Sequence, residues 1–119
     1  MRNLQLWLQD ILRAIEKIEG RTEKSNIELF LQDEDLQVWV LYHLQIIGEA
    51  SKQVPQKIKD NSLIPWREIG RFRDLLVHRY FKVDLEMVWD VVRENLPPLK
   101  REVQSLLSEI ENNSDKQNN

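Results

Sequence analysis

At 119 residues, with 41% hydrophobic and 31% charged side chains, the chain holds the material for one core and a well-charged surface. It contains no cysteine, which excludes disulfides, thiolate metal sites and thiol nucleophiles. A formal net charge of -3 argues against a general nucleic-acid binder coated in positive charge, so any contact with RNA has to be local.

The first ten residues are amphipathic but interrupted by polar side chains every few positions, so they lack the continuous apolar core of a signal peptide. No apolar run approaches the ~20 residues that a membrane helix needs, and a cytoplasmic protein that does not engage the membrane is expected. Three glycines, four prolines and apolar residues at helical rather than alternating spacing predict an all-α chain. Leu4, Trp7, Leu8, Ile11, Leu12, Ile15 and Ile18 make one stripe and predict a first helix ending near Gly20. After the polar stretch from Arg21 to Asn26 comes a short turn carrying Ile27, Phe30 and Leu31. Asp33 to Asp35 then supply acidic residues suited to a helix N-terminus. A second long helix is predicted from there to about Lys57, with Leu36, Val40, Leu44 and Ile47 in the core. Trp39 and Tyr42 lie on its flanks, and Pro55 falls in its last turn.

Asn61 to Pro65 form the next break, and Pro65 suits the first turn of a helix reaching Val77 or His78. Asp84 is placed to cap a helix over Leu85 to Asn95, with Met87, Val88, Val91 and Val92 facing inward. Pro97-Pro98 is expected to interrupt it before a last helix carrying Leu99, Val103, Leu106 and Leu107. The whole predicts a single helical domain over residues 1–111, an antiparallel four- to five-helix bundle, with a polar, frayed tail over 112–119.

Chemistry concentrates in the octad from Arg73 to Tyr80, which brings together an arginine, one of two histidines and a phenol. A permanently charged donor and a side chain able to carry a proton near neutral pH suffice to cleave RNA without metal. Between Ile64 and Lys82 the cations Arg67, Arg71, Arg73, Arg79 and Lys82 outnumber Glu68 and Asp74, a local basic excess in an acidic chain. With ~100° of rotation per residue, Ile69, Phe72, Leu75 and Leu76 share the core-facing arc, and Arg71, Asp74 and His78 lie nearly opposite. Arg73, Val77 and Tyr80 take a third arc, leaving Arg73 and His78 roughly 140° apart. A convergent pair then needs a helix that loosens before His78, side chains that bend into a common cleft, or two copies meeting across a two-fold axis.

The plainer reading makes the charge cluster a solvated helix face, His78 a histidine favoured by the dipole at a helix C-terminus, and Tyr80 an amphipathic packing residue. His43 has no chemical partner at local spacing and reads as structural. The histidines lie far apart and no HxxE or ExxH pattern accompanies them, so no metal site is expected.

The octad resembles the RxxxxHxY signature of the HepT toxins, within the wider HEPN class of helical ribonucleases. The likeness extends to Phe30-Leu31, Ile47-Gly48-Glu49-Ala50, Ile64-Pro65-Trp66, Val83-Asp84, Val88-Trp89 and Leu96-Pro97, in the family's order, and so covers nearly the whole chain. Asp74 stands where many members carry asparagine, and Phe72 where methionine is common. Arg71 also satisfies the spacing of the wider class: alignment favours Arg73, while the helical face favours Arg71.

The resemblance implies a homodimeric, metal-independent endoribonuclease needing no cofactor, the toxin of a two-gene toxin-antitoxin system, with tRNA one candidate substrate. His78 would act as general base or acid and Arg73 would stabilise the charged phosphorane. The partner antitoxin would be a minimal nucleotidyltransferase that transfers AMP from ATP to Tyr80, adding bulk and negative charge where RNA must bind. Arg71, Arg79 and Lys82 could hold RNA or the modifying group, and Asp74 could orient His78 or pair with an arginine. Glu49 has no assigned role. The competing reading is a non-catalytic helical dimer that binds a nucleotidyltransferase or a nucleotide.

Overall fold

The computed structural model describes residues 2–78 and 82–118, with side chains as far as residue 113. The described residues form an all-α bundle: α1 (Leu4–Thr22), α2 (Ile27–Gln32), α3 (Glu34–Lys52), α4 (Gln56–Asp60), α5 (Trp66–His78), α6 (Leu85–Asp90), a π-helical turn (Val91–Asn95) and α7 (Leu96–Asn118). Helix starts follow the polar residues that precede them. Asn3, Asn26, Asp33 and Asp84 each accept a hydrogen bond from a backbone N–H of the first turn. Those N–H groups have no partner inside the helix, which is why short polar side chains mark the boundaries.

Helix α3 is the middle of the bundle, with α1 on one side and α5 on the other. Leu8, Ile11, Ile15 and Ile18 of α1 meet Val40, Leu44 and Ile47 of α3, and Leu76 and Val103 close the same core from α5 and α7. Cross-helix contacts fix the directions. Trp39 Nε1 donates to Lys17 O at 3.1 Å, while Trp7 lies beside Ile46 near the other end of α3, so α1 and α3 run antiparallel. The expected flanking position of Trp39 is completed by Arg21, whose guanidinium lies 3.8 Å from the ring centroid.

Three boundaries differ from those expected. Helix α3 stops at Lys52 rather than near Lys57 because Gln53 and Val54 donate three residues back, to Ala50 O and Ser51 O, tightening the chain so that Val54 enters the core. Pro55, with no N–H to continue α3, becomes the N-cap position of the short α4. Pro97-Pro98 does not interrupt the helical path. Leu96 N–H donates to Val91 O, five residues back, and this wider turn carries α6 into α7 with both prolines in the new helix's first turn, where their missing N–H groups cost little. Finally, α7 continues through Asn118, into the stretch expected to fray. No helix among the described residues is long and apolar enough to cross a membrane.

Candidate functional site

Helix α5 carries the motif. Trp66 anchors its start in the core and Leu76 is fully buried near its end, whereas Ile69, Phe72 and Leu75 of the expected apolar arc are only half-buried. The helix is therefore held at two points, and its flank toward α3 is set by a glycine. A Cβ built on Gly48 would stand 2.1 Å from Arg73 Cβ, so the two helices approach here only because position 48 has no side chain. Gly48 is buried mid-helix, where glycine costs ~1 kcal/mol relative to alanine. The close approach of Arg73 is what that cost permits.

Around this crossing the charges alternate. Arg73 Nη2 lies 3.3 Å from Glu49 Oε2, and Arg73 Nη1 lies 3.4 Å from Asp74 Oδ1. Lys52 Nζ donates to that same Asp74 oxygen at 2.5 Å. The Lys52 ammonium, and after it the Arg73 guanidinium, hold the Asp74 carboxyl below its ordinary value. Arg73 Nε is buried and has no hydrogen-bond partner among the described residues. The guanidinium is thus half-buried and held by two direct but long ionic contacts, one to each carboxylate. It opens onto a groove of about 220 Å³ that also receives Trp7, Tyr42, Ile46 and Glu49. Another groove, of about 340 Å³, runs between α5 and the start of α7 past Phe72, Val91 and Leu96, and its lining is mainly apolar.

His78 is the last residue of α5 and is exposed. The helix is regular up to that point, so it does not loosen before His78, and the angular separation from Arg73 stands within one chain. Arg71 is exposed on the face away from Gly48, while Asp74 reaches Lys52 on α3 and its neighbour Arg73. Lys82 is exposed. Arg79 and Tyr80 lie outside the described residues, and with them the expected modification site. His43 is 3% exposed, its Nδ1 2.8 Å from Trp39 O and its ring 4.5 Å from the Trp39 ring. Among the described residues no three His, Asp or Glu side chains gather in a way that could hold a metal ion.

Sequence reasoning missed Gly48 and Lys52 as neighbours of the motif and left Glu49 without a role. A glycine inside a strongly helical run was the available signal for a close helix approach. Nothing local marked Lys52, whose partner lies 22 residues away.

Residues 11–106 match the model of the family described as ribonuclease HepT-like. The chain belongs to the HepT-like ribonuclease family. Its relatives include the probable ribonuclease HepT of Thermococcus cleftensis, 46% identical over 101 residues that make up 84% of this chain and 92% of that one. An inferred RNase of Methanocaldococcus jannaschii is 32% identical over 111 residues, 92% of each chain. A second protein of that organism, named as a gamma-glutamylcyclotransferase and inferred RNase, is 34% identical over 119 residues. The match covers 99% of this chain and only 54% of that relative, so the HepT-like chain spans about half its length. No solved structure matches the chain.

Proposed function

We propose that this HepT-like ribonuclease is a metal-independent endoribonuclease whose active groove is assembled from two copies of the chain. The observation that carries the reading is the state of Arg73: a half-buried guanidinium, held by two long ionic contacts and facing an open groove. In the reaction the 2′-hydroxyl attacks the adjacent phosphorus, the bond to the 5′-oxygen breaks, and a cyclic phosphate and a free 5′-hydroxyl result. His78 takes the proton from the 2′-hydroxyl or delivers one to the leaving oxygen, and Arg73 stabilises the charge on the phosphorane.

Assembly is favoured because the face flanking Arg73 carries exposed apolar side chains. Tyr42 on α3, 60% exposed, and the half-buried Trp7 on α1 line the groove beside Arg73, and the exposed Val77 lies one turn beyond it on α5. A second copy on this face would cover that apolar surface and supply the His78 that the same chain's α5 directs away from Arg73. The biological setting proposed is that of a cytoplasmic toxin acting on RNA, tRNA included, and silenced by a nucleotidyltransferase antitoxin. There the Tyr80 oxygen would attack the α-phosphorus of ATP, taking AMP and releasing pyrophosphate. The added phosphate would repel substrate RNA.

Purified protein should cleave RNA in EDTA, while His78→Ala and Arg73→Ala should each lose at least about 10²-fold without loss of helicity. Undiminished cleavage by His78→Ala would overturn the mechanism. Growth arrest on expression that His78→Ala does not relieve would favour the alternative, a non-catalytic dimer that binds a nucleotidyltransferase or nucleotide.

A further inference from the structure

Asp74 has two cationic neighbours on the same oxygen, and they hold it unequally. Lys52 Nζ is 2.5 Å from Oδ1, whereas Arg73 Nη1 is 3.4 Å away. Lysine presents a compact point charge, while arginine is the better partner for a carboxylate when its planar fork can donate two parallel N–H bonds. That two-pronged grip is not made here. The stem of Lys52 runs along Gly70, its Cγ 3.3 Å and its Cε 3.5 Å from where a Cβ would stand, so a glycine provides the track on which the ammonium reaches Asp74. On the far side of Arg73, Glu49 also stays at 3.3 Å. The guanidinium sits between two carboxylates, joined to each by a single long contact, with Nε unpaired among the described residues.

We propose that Lys52 is a positioning residue: by occupying Asp74 it prevents that carboxylate from clamping Arg73, and so keeps the guanidinium available for a phosphodiester of the substrate. The inference rests on the reading that Arg73 contacts the scissile phosphate. Without the lysine charge, the adjacent carboxylate is unopposed and Arg73 closes on it, trading a substrate contact for an internal ion pair.

Lys52→Met keeps an unbranched stem along Gly70 and removes the charge. Its kcat at saturating RNA should fall about tenfold or more, the scale of loss when a reacting group is displaced by a fraction of an ångström to an ångström. Asp74→Asn in the same background should bring cleavage back to the level of Asp74→Asn alone. Glu68→Gln, which restores the net charge but leaves Asp74 ionised, should not. Equal cleavage by Lys52→Met and wild type, or equal rescue by Glu68→Gln, would overturn the proposal and leave the ribonuclease reading intact.

A second readout is independent of cleavage. In the full-length ¹⁵N-labelled protein, rotation of the Arg73 guanidinium about its Nε–Cζ bond, followed by NMR, should slow in Lys52→Met and quicken again in Lys52→Met/Asp74→Asn. Unchanged rotation overturns the role given to Lys52. Slowed rotation in a protein that cleaves no RNA supports the restraint on Arg73 and overturns the ribonuclease reading instead.

Discussion

Arg93, an exposed cation, and Arg73, a half-buried one, are put to opposite uses. The Arg93 guanidinium donates through Nη2 to Thr22 O at 2.9 Å and Ser25 O at 2.7 Å, and lies 4.5 Å from the Trp89 ring. It donates to carbonyls at and just beyond the C-terminal end of α1, one of which, Thr22 O, also accepts from Ser25 N–H, and ties that end to the π-helical turn. Lys100 adds a second tie, donating to Glu19 Oε2 at 2.9 Å, and this pairing raises the Lys100 ammonium above its ordinary value. Arg73, in contrast, has ionic contacts at 3.3 and 3.4 Å and an unpaired Nε among the described residues. Arg93 donates to backbone carbonyls of the fold, whereas Arg73 engages only carboxylates, each through one long contact at the edge of a groove. A cation tied to backbone carbonyls stabilises the fold, and one held by long ionic contacts beside an open groove can exchange them for another anion.

The contrast can be broken most severely at the motif. Replacing Arg73 with alanine should lower RNA cleavage by about 10²-fold or more while the thermal unfolding midpoint moves little. A large loss of stability with cleavage per folded molecule preserved would reverse the roles assigned to the two arginines. Next in size is Gly48→Ala. Its Cβ would meet Arg73 Cβ at 2.1 Å, too close for side-chain adjustment alone, so α3 and α5 must separate. Denaturant titration should register a loss of about 3 kcal/mol, the upper range for overpacking, and cleavage should fall with it. Unaltered stability would mean that the two helices do not cross where this account requires.

Arg93→Ala should do the opposite of Arg73→Ala. Losing hydrogen bonds from a largely exposed cation, together with its contact with Trp89, should cost about 1–2 kcal/mol on denaturation, with cleavage per folded molecule unchanged. The smallest effect concerns Asp74. Its carboxyl is held below the ordinary value of 3.8 by Lys52 first and Arg73 second, so ionisation favours the folded state. That contribution is complete above the ordinary value and is lost as pH falls through the lowered one. The stability advantage of wild type over Asp74→Asn should therefore be flat above about pH 5 and disappear in acid. An advantage that grew on acidification would have the wrong sign.

Much of this could be read from the sequence because local signals and tertiary packing agree. The stripe from Leu4 to Ile18, the acidic run from Asp33 to Asp35, the cap at Asp84 and the start at Pro65-Trp66 each name an element that exists. The HepT-like resemblance extended that reading to a ribonuclease family and to the residues expected to act. The errors arose where backbone geometry absorbed a signal of interruption. Pro97-Pro98 looked like a break, but a five-residue turn can pass two prolines into a first helical turn without losing a needed donor. Pro55 looked like a fault late in one helix, but burial of Val54 ended that helix earlier. At the candidate site, the angular separation of Arg73 and His78 followed from periodicity alone, and α5 remains regular through His78. The partners of Arg73 did not follow, because Gly48, Glu49 and Lys52 reach it through a helix crossing that no local pattern encodes.

The central claim is that the Arg73 and His78 acting on one phosphate come from different copies of the chain. Mixing the two inactive proteins, Arg73→Ala and His78→Ala, under conditions that exchange subunits tests it directly. A mixed pair would join one intact Arg73 to one intact His78, so metal-free RNA cleavage should reappear on mixing, at about a quarter of the wild-type site concentration if subunits pair at random. Exchange proven by mass spectrometry without any return of cleavage would contradict the claim.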